Sequence, residues 1–238
     1  MPDNRGSSDR LLHEDLLHLT SIREIVPGFL HEISQPLNAI SLAGQLLDLK
    51  LSQAAGADVD TTYLSEKLGV ITEGVQRTSK IMEDLRSFND HGAVAPKESN
   101  LREAFDKIFN LMTRQFINRE VTVRVESEEH LPALETELRL AQCTIVQCLA
   151  FSRDCVLTLA TWHADRSMPY DKTLNVELAH AEGSHIVTMA WHMGEFPPDE
   201  PPIPLETGSG LKAAELALEA KGSRLEVAPH RVQAILAG

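Results

Sequence analysis

The 238-residue chain is short of cysteine, of basic residues and of long apolar runs, and each shortage removes a class of protein. Its three cysteines, Cys143, Cys148 and Cys155, fall in one apolar segment, odd in number and without CxxC spacing. That excludes a disulfide framework and offers no zinc-ligand pattern. They read as small buried hydrophobes in a reducing compartment. With 22 Lys and Arg against 35 Asp and Glu, the formal charge is −13. A surface of that sign lacks the basic patch that nucleic acid or an anionic membrane demands, so the expected partners are proteins. No run approaches the roughly 18 consecutive apolar residues of a membrane span. The opening MPDNRGSSDR has no apolar core of the kind a signal peptide carries. A cytoplasmic protein with neither a nucleic-acid nor a membrane partner is expected.

What is present is ordinary globular composition, 42% hydrophobic and 24% charged, in a chain long enough for one large domain or two smaller ones. From about Asp9 to Ala54 the pattern is helical. Val26, Leu30, Ile33, Leu37, Ile40, Gly44, Leu47 and Leu51 step by alternating fours and threes, which is a heptad seam. AAGADVD supplies a turn, with Gly56 as helix stop and Asp60 or Thr61 as the next N-cap. Leu64, Leu68, Ile71, Val75, Thr78, Met82 and Leu85 then repeat the alternation. Two such helices form an antiparallel hairpin. A lone hairpin cannot cover both seams, and two copies make a four-helix bundle, so a homodimer is expected. The alternative is that the C-terminal half covers the seam. HEDLLHLTSIREIV is also periodic and is expected to extend the first helix, with Pro27 and Gly28 as a weak joint.

The hairpin is assigned to residues 1–90 and a linker to 91–100, where NDHGAVAPKESN breaks the periodicity. Residues 101–238 read as an α/β domain. Leu101 to Asn118 is an amphipathic helix, VTVRVE alternates as a strand, and Glu137 to Thr161 is a strongly apolar helix. TLNVELA and HIVTMAWH are strands, GSGLKAAELALEAKG is a helix bounded by glycine, and RLEVAP and VQAILA form a last strand pair. Helices on one face of a mixed sheet give an α+β fold.

The stretch FLHEISQPLNAI, Phe29 to Ile40, holds the candidate chemistry. Leu30 and Ile33 occupy the seam, so His31 points off it toward solvent with Glu32 beside it. A solvated imidazole is largely neutral near pH 7 and therefore nucleophilic. A neighbouring carboxylate can take a proton from one ring nitrogen and so activate the other. Pro36 removes one backbone donor and leaves the carbonyl of Glu32, one turn back, without its partner.

FLHEISQPLNAI resembles the phosphoacceptor box of two-component sensor histidine kinases, especially the subgroup that senses oxygen and dicarboxylates. RTSKIMEDLRSF resembles the end of that family's second bundle helix. NLREAFDKIFNLM and HLPALETELRLAQC resemble the start of its ATP-binding domain, so the likeness covers roughly residues 20 to 227. The resemblance implies a dimeric helical bundle followed by an ATPase-like α/β sandwich. It implies that His31 is phosphorylated on a ring nitrogen and passes the group to an aspartate of a response-regulator receiver domain. Glu32 would be the assisting base, and Gln35 would have a role in dephosphorylation. The exposed residues one and two turns on, Asn38, Ala39 and Leu42, would form the regulator's docking surface.

The family's nucleotide-binding groups are largely missing from the second half. Where its magnesium-binding asparagines belong, this chain has Val146 and Ala150, or Gln147 and Phe151 if the register slides by one. Asp154 stands near the family's later acidic residue, with no asparagine beside it. WHMGEF keeps Gly194 but puts His192 in place of the adenine-recognising aspartate and Phe196 in place of the second glycine. The lid is the short, proline-rich EFPPDEPPIPLET, and only GSGL, Gly208 to Leu211, keeps the family's form. The expected function is a histidine phosphotransferase of a phosphorelay that binds no ATP and has no cofactor of its own, the regulator supplying magnesium. Two alternatives stand beside it: a working autokinase with a divergent ATP site, and a non-enzymatic adaptor that binds a regulator or a true kinase.

Overall fold

The structure is a computed structural model and describes residues 4–54, 60–89, 100–134, 137–195 and 206–237, with side chains from residue 12 onward. The expected linker at 91–100, the helix stop at Gly56 and nearly all of the lid therefore lie outside the described residues, only Asn100 and the lid's ends being inside them. Two long helices come first, α1 (Asn4–Gln53) and α2 (Thr61–Asn89). Neither Pro27 nor Pro36 interrupts α1, so the expected extension through residues 9–20 is present as one continuous helix. Asp60 caps α2, its Oδ1 accepting from the backbone N–H of Thr62 at 3.0 Å and of Tyr63 at 3.2 Å.

The heptad seam splits into two faces. Ile33, Ile40 and Leu47 of α1, with Leu64, Ile71, Thr78 and Leu85 of α2, are half-buried. The alternate positions face outward: Leu30, Leu37 and Leu51 on α1, and Leu68, Val75 and Met82 on α2, are 48–56% exposed. One member of each heptad pair thus closes the hairpin and the other is left on an open apolar stripe.

The remaining elements are α3 (Leu101–Ile117), β1 (Thr122–Ser127), α4 (Leu138–Ala164), β2 (Thr173–Ala181), β3 (Ser184–Trp191), α5 (Ser209–Glu219), β4 (Arg224–Ala228) and β5 (Arg231–Ala237). The Asn100 side chain caps α3 by accepting from the Glu103 N–H at 2.9 Å. The strands form one sheet in the order β1-β2-β3-β5-β4. β1 and β2 are parallel and the other neighbours antiparallel. Alternation decides the layers. Leu174, Val176 and Leu178, Val187, Met189 and Trp191, and Val232, Ala234 and Leu236 are buried on one face, while Asn175 and Glu177 are exposed on the other. The helices cover the apolar face, which is the expected α+β arrangement.

α4 is the central helix. Among the described residues it alone has the length and hydropathy of a membrane span, and 78% of that stretch is buried inside the fold. Its near-continuous apolar character follows from contact with the sheet below and with α1, α3 and α5 around it.

The two halves of the chain are packed together. Upstream of the seam, Leu17, Ser21 and Ile25 lie one turn apart on α1 and are 0–1% exposed. Leu17 and Ile25 belong to the same core as α3, α4 and α5, and the Ser21 hydroxyl is 3.3 Å from the Cys143 carbonyl oxygen of α4. Burial of a side chain such as Leu17 or Ile25 stabilises by about 2 kcal/mol. The C-terminal half therefore covers an apolar stripe of α1, but the one before residue 29. At Gly28 a Cβ would sit 2.5 Å from the Leu111 carbonyl oxygen, so this position lets α3 approach α1 three residues before His31.

Candidate functional site

His31 is solvent-exposed on α1, where the seam positions on either side of it place it. Four residues on, Gln35 lies on the same helix face, and its Nε2 is 3.4 Å from His31 Nε2. Glu32 points elsewhere, since successive helical residues do not face each other. Its Oε1 accepts from Arg114 Nε of α3 at 2.7 Å, and its Oε2 accepts from Arg77 Nη2 of α2 at 3.2 Å. Arg114 also donates through Nη2 to Gln35 Oε1 at 2.8 Å. Glu32 is only 15% exposed at its side chain, so these are sheltered, charge-assisted bonds. His31, Glu32 and Gln35 are thus brought together, joined by two arginines from other elements. Asn38, Ala39 and Leu42 continue outward on α1, all exposed, Leu42 at 58%.

Beside His31 runs a cleft of about 420 Å³ lined by Arg23, Glu24, Gly28, Arg114, Gln115 and Arg153, among others. Arg153 of α4 is its most sheltered charged group, with a side chain 7% exposed. It donates to Glu24 Oε2 at 3.2 Å, to Asp154 Oδ1 at 2.8 Å and to the Gln115 side-chain oxygen. This ties α1, two turns before the histidine, to α3 and α4.

A second cleft of about 450 Å³ lies between α4, the start of α5 and the upstream part of α1. It is lined by Gln147, Ala150, Phe151, Asp154 and Gly210, with Arg23 and Glu24 contributed by α1. Gln147 spans toward α1, donating to Ser21 Oγ at 3.0 Å and Thr20 Oγ1 at 3.4 Å. A Cβ at Gly210 would fall 1.9 Å from Gln147 Oε1, so the glycine of GSGL is what lets that carboxamide pass. Trp191 is buried edge-on against Phe151, ring centroids 5.8 Å apart. His192 is exposed, its Nδ1 accepting from the Gly194 N–H at 2.9 Å and its carbonyl from the Tyr170 hydroxyl at 2.7 Å. Asp154, 61% exposed, is occupied by Arg153 and Arg119. Ala150 and Phe151 offer no side-chain oxygen to a cation, and the Gln147 amide is oriented by donating its NH₂ to α1.

The three cysteines are free and buried. Burial pushes Cys143 up to about 11 and Cys148 and Cys155 up to about 12, from 9.0. A thiol held protonated by the fold contributes stability that is present below pH 9 and lost as pH rises toward 11 or 12. Over that window stability should fall as pH rises, by an amount that grows with each such thiol. Urea denaturation should show a shallower alkaline decline in Cys148→Ala than in the parent; equal slopes would contradict the assignment.

Arg77 and Arg114 carry no signal in the local sequence that links them to the histidine. Their contacts with Glu32 span 45 and 82 positions.

No protein-family model matches the sequence, and no curated protein matches it. Among solved structures, the chain is similar to the catalytic domain of histidine kinase ThkA, at TM-score 0.42 and 12% identity over 58% of this chain and 92% of that one. It is similar to the Acinetobacter baumannii histidine kinase AdeS, at TM-score 0.36 and 14% identity over 87% of this chain and 97% of that one. It is also similar to a bacterial phosphotransferase, at TM-score 0.38 and 15% identity over 91% and 95% of the two chains.

Proposed function

We propose that the protein is a dimeric histidine phosphotransferase, with His31 exchanging a phosphoryl group with aspartates of response-regulator receiver domains. The observation that carries this reading is an exposed His31 whose Nε2 is met by Gln35 within a box that resembles a phosphoacceptor site. In the transfer, the Nε2 lone pair forms a nitrogen–phosphorus bond while the phosphorus–oxygen bond to the aspartate breaks and the carboxylate keeps the electron pair. The regulator brings its own magnesium, so this chain needs no metal of its own. Gln35 can donate to a phosphoryl oxygen or orient a water. Glu32 serves the histidine as base only after one of its oxygens leaves an arginine. The receiver docks on Asn38, Ala39 and Leu42.

The dimer is supported by the open stripe of the hairpin. Both helices expose apolar residues at seven-residue intervals, and such a stripe is complementary to itself across a two-fold axis. Against nucleotide binding stand Ala150 and Phe151 in the cleft, and His192, whose Nδ1 is already engaged by its own loop.

The test is to mix the protein with a receiver domain carrying a labelled aspartyl phosphate. Label should appear on the protein in an acid-labile, alkali-stable form, as a phosphoramidate is, and should be lost in His31→Gln. Absence of label with every regulator encoded nearby would reject the reading in favour of an adaptor.

A further inference from the structure

Arg114 stands in the second half of the chain, yet it reaches both residues that flank the histidine's chemistry. Its guanidinium has five N–H donors and no acceptor. The end of the Gln35 amide that lies 2.8 Å from Arg114 Nη2 must therefore be the oxygen. That fixes the other end, 3.4 Å from His31 Nε2, as the NH₂ group. An amide NH₂ cannot accept a hydrogen bond, so His31 Nε2 meets it with its lone pair, and the neutral ring carries its proton on Nδ1. A proton on Nε2 would set two donors against each other. The contact is long for a hydrogen bond, and so is easily surrendered when the lone pair turns to phosphorus.

We infer that Arg114 is a positioning residue that fixes the Gln35 amide and, through it, the nucleophilic tautomer of His31. The inference rests on the proposed function for its consequence, and on donor and acceptor chemistry alone for its geometry. The same guanidinium holds Glu32 at 2.7 Å, so one side chain of α3 secures the residues one and four positions beyond the histidine. Packing of the second domain on α1 is thereby coupled to the state of a ring it does not touch. Were α3 to leave α1, Gln35 would be free to turn, and the proton would return to Nε2, which an imidazole in water prefers.

The experiment uses full-length protein with ¹⁵N-labelled histidine, at alkaline pH. Long-range ¹H–¹⁵N correlations separate the two tautomers, and His31→Gln identifies the signal among the 10 histidines. The parent should show mainly the Nδ1–H form, and Arg114→Met should shift the majority to Nε2–H. Gln35→Glu, which turns an acceptor toward the ring and leaves Arg114 in place, should produce the same shift. Transfer from a phosphorylated receiver should slow on the order of tenfold in Arg114→Met, with the half-saturating receiver concentration unchanged. A parent ring protonated on Nε2, or Gln35→Glu and a folded Arg114→Met that both keep the parent tautomer, would overturn the inference. A tautomer shift with an unchanged transfer rate would overturn the role of Arg114 in transfer. A tautomer shift in the variants of a parent that never takes label would leave the geometry standing and reject the proposed function.

Discussion

Replacing Leu37 with glutamate is expected to split the proposed dimer into monomers that keep their helical content. Leu37 is 48% exposed on the open stripe, with Leu30 and Leu51 on the same helix and Leu68, Val75 and Met82 on its neighbour. Each of these side chains is about half-covered within one chain, so association buries the other half and contributes on the order of 1 kcal/mol apiece. A glutamate there would remove one such contribution from each protomer and put a charge into the apolar stripe of both. A loss of about 3 kcal/mol, roughly two orders of magnitude in Kd, is the expected scale. Sedimentation velocity should show a dimer for the parent and a monomer for Leu37→Glu at micromolar concentration, with unchanged far-ultraviolet circular dichroism. A parent that sediments as a monomer would mean that the stripe serves another occupant.

The second large effect concerns Arg153. Its side chain is 7% exposed and is held by Glu24, Asp154 and Gln115. Removing one member of a buried ion pair costs about 3–5 kcal/mol because the other is left desolvated. Here Glu24 is 28% and Asp154 61% exposed at the side chain. Water can therefore reach the abandoned carboxylates, and the expected cost of Arg153→Met is nearer 2–3 kcal/mol. It should appear as a lower urea midpoint with unchanged m-value. Adding Glu24→Met should cost less than the sum of the two single changes, since the orphaned carboxylate is then gone. Strict additivity would show that the two residues do not act on each other.

Much of this architecture is legible because its causes are local. The step of fours and threes from Val26 to Leu51 names the hairpin helix, and alternation in TLNVELA and HIVTMAWH names strands that the sheet then buries on one side. Asp60 caps a helix from its own first turn. The exposure of His31 follows from the seam positions at Leu30 and Ile33. The contacts that join the two halves leave no such trace. Ser21 meets Gln147 across 126 positions, and Arg114 meets Glu32 across 82. Nothing in either neighbourhood announces the other. The periodicity of HEDLLHLTSIREIV foretold a helix but not that Leu17, Ser21 and Ile25 would be spent on α4 and α5 instead of on a second hairpin. The division of the heptad seam into a closed face and an open one is likewise a property of two helices together.

The central claim is that the exposed imidazole of α1 draws its phosphoryl group from an acyl phosphate and not from a nucleotide. One measurement bears on it most directly. Equal samples are offered either a labelled phosphorylated receiver domain or labelled magnesium–ATP, and the labelled peptide is then mapped by mass spectrometry. Label on the peptide containing His31 from the receiver alone is the result this account predicts. Label arriving from ATP with no regulator present, or label that persists when residue 31 is changed, would contradict it.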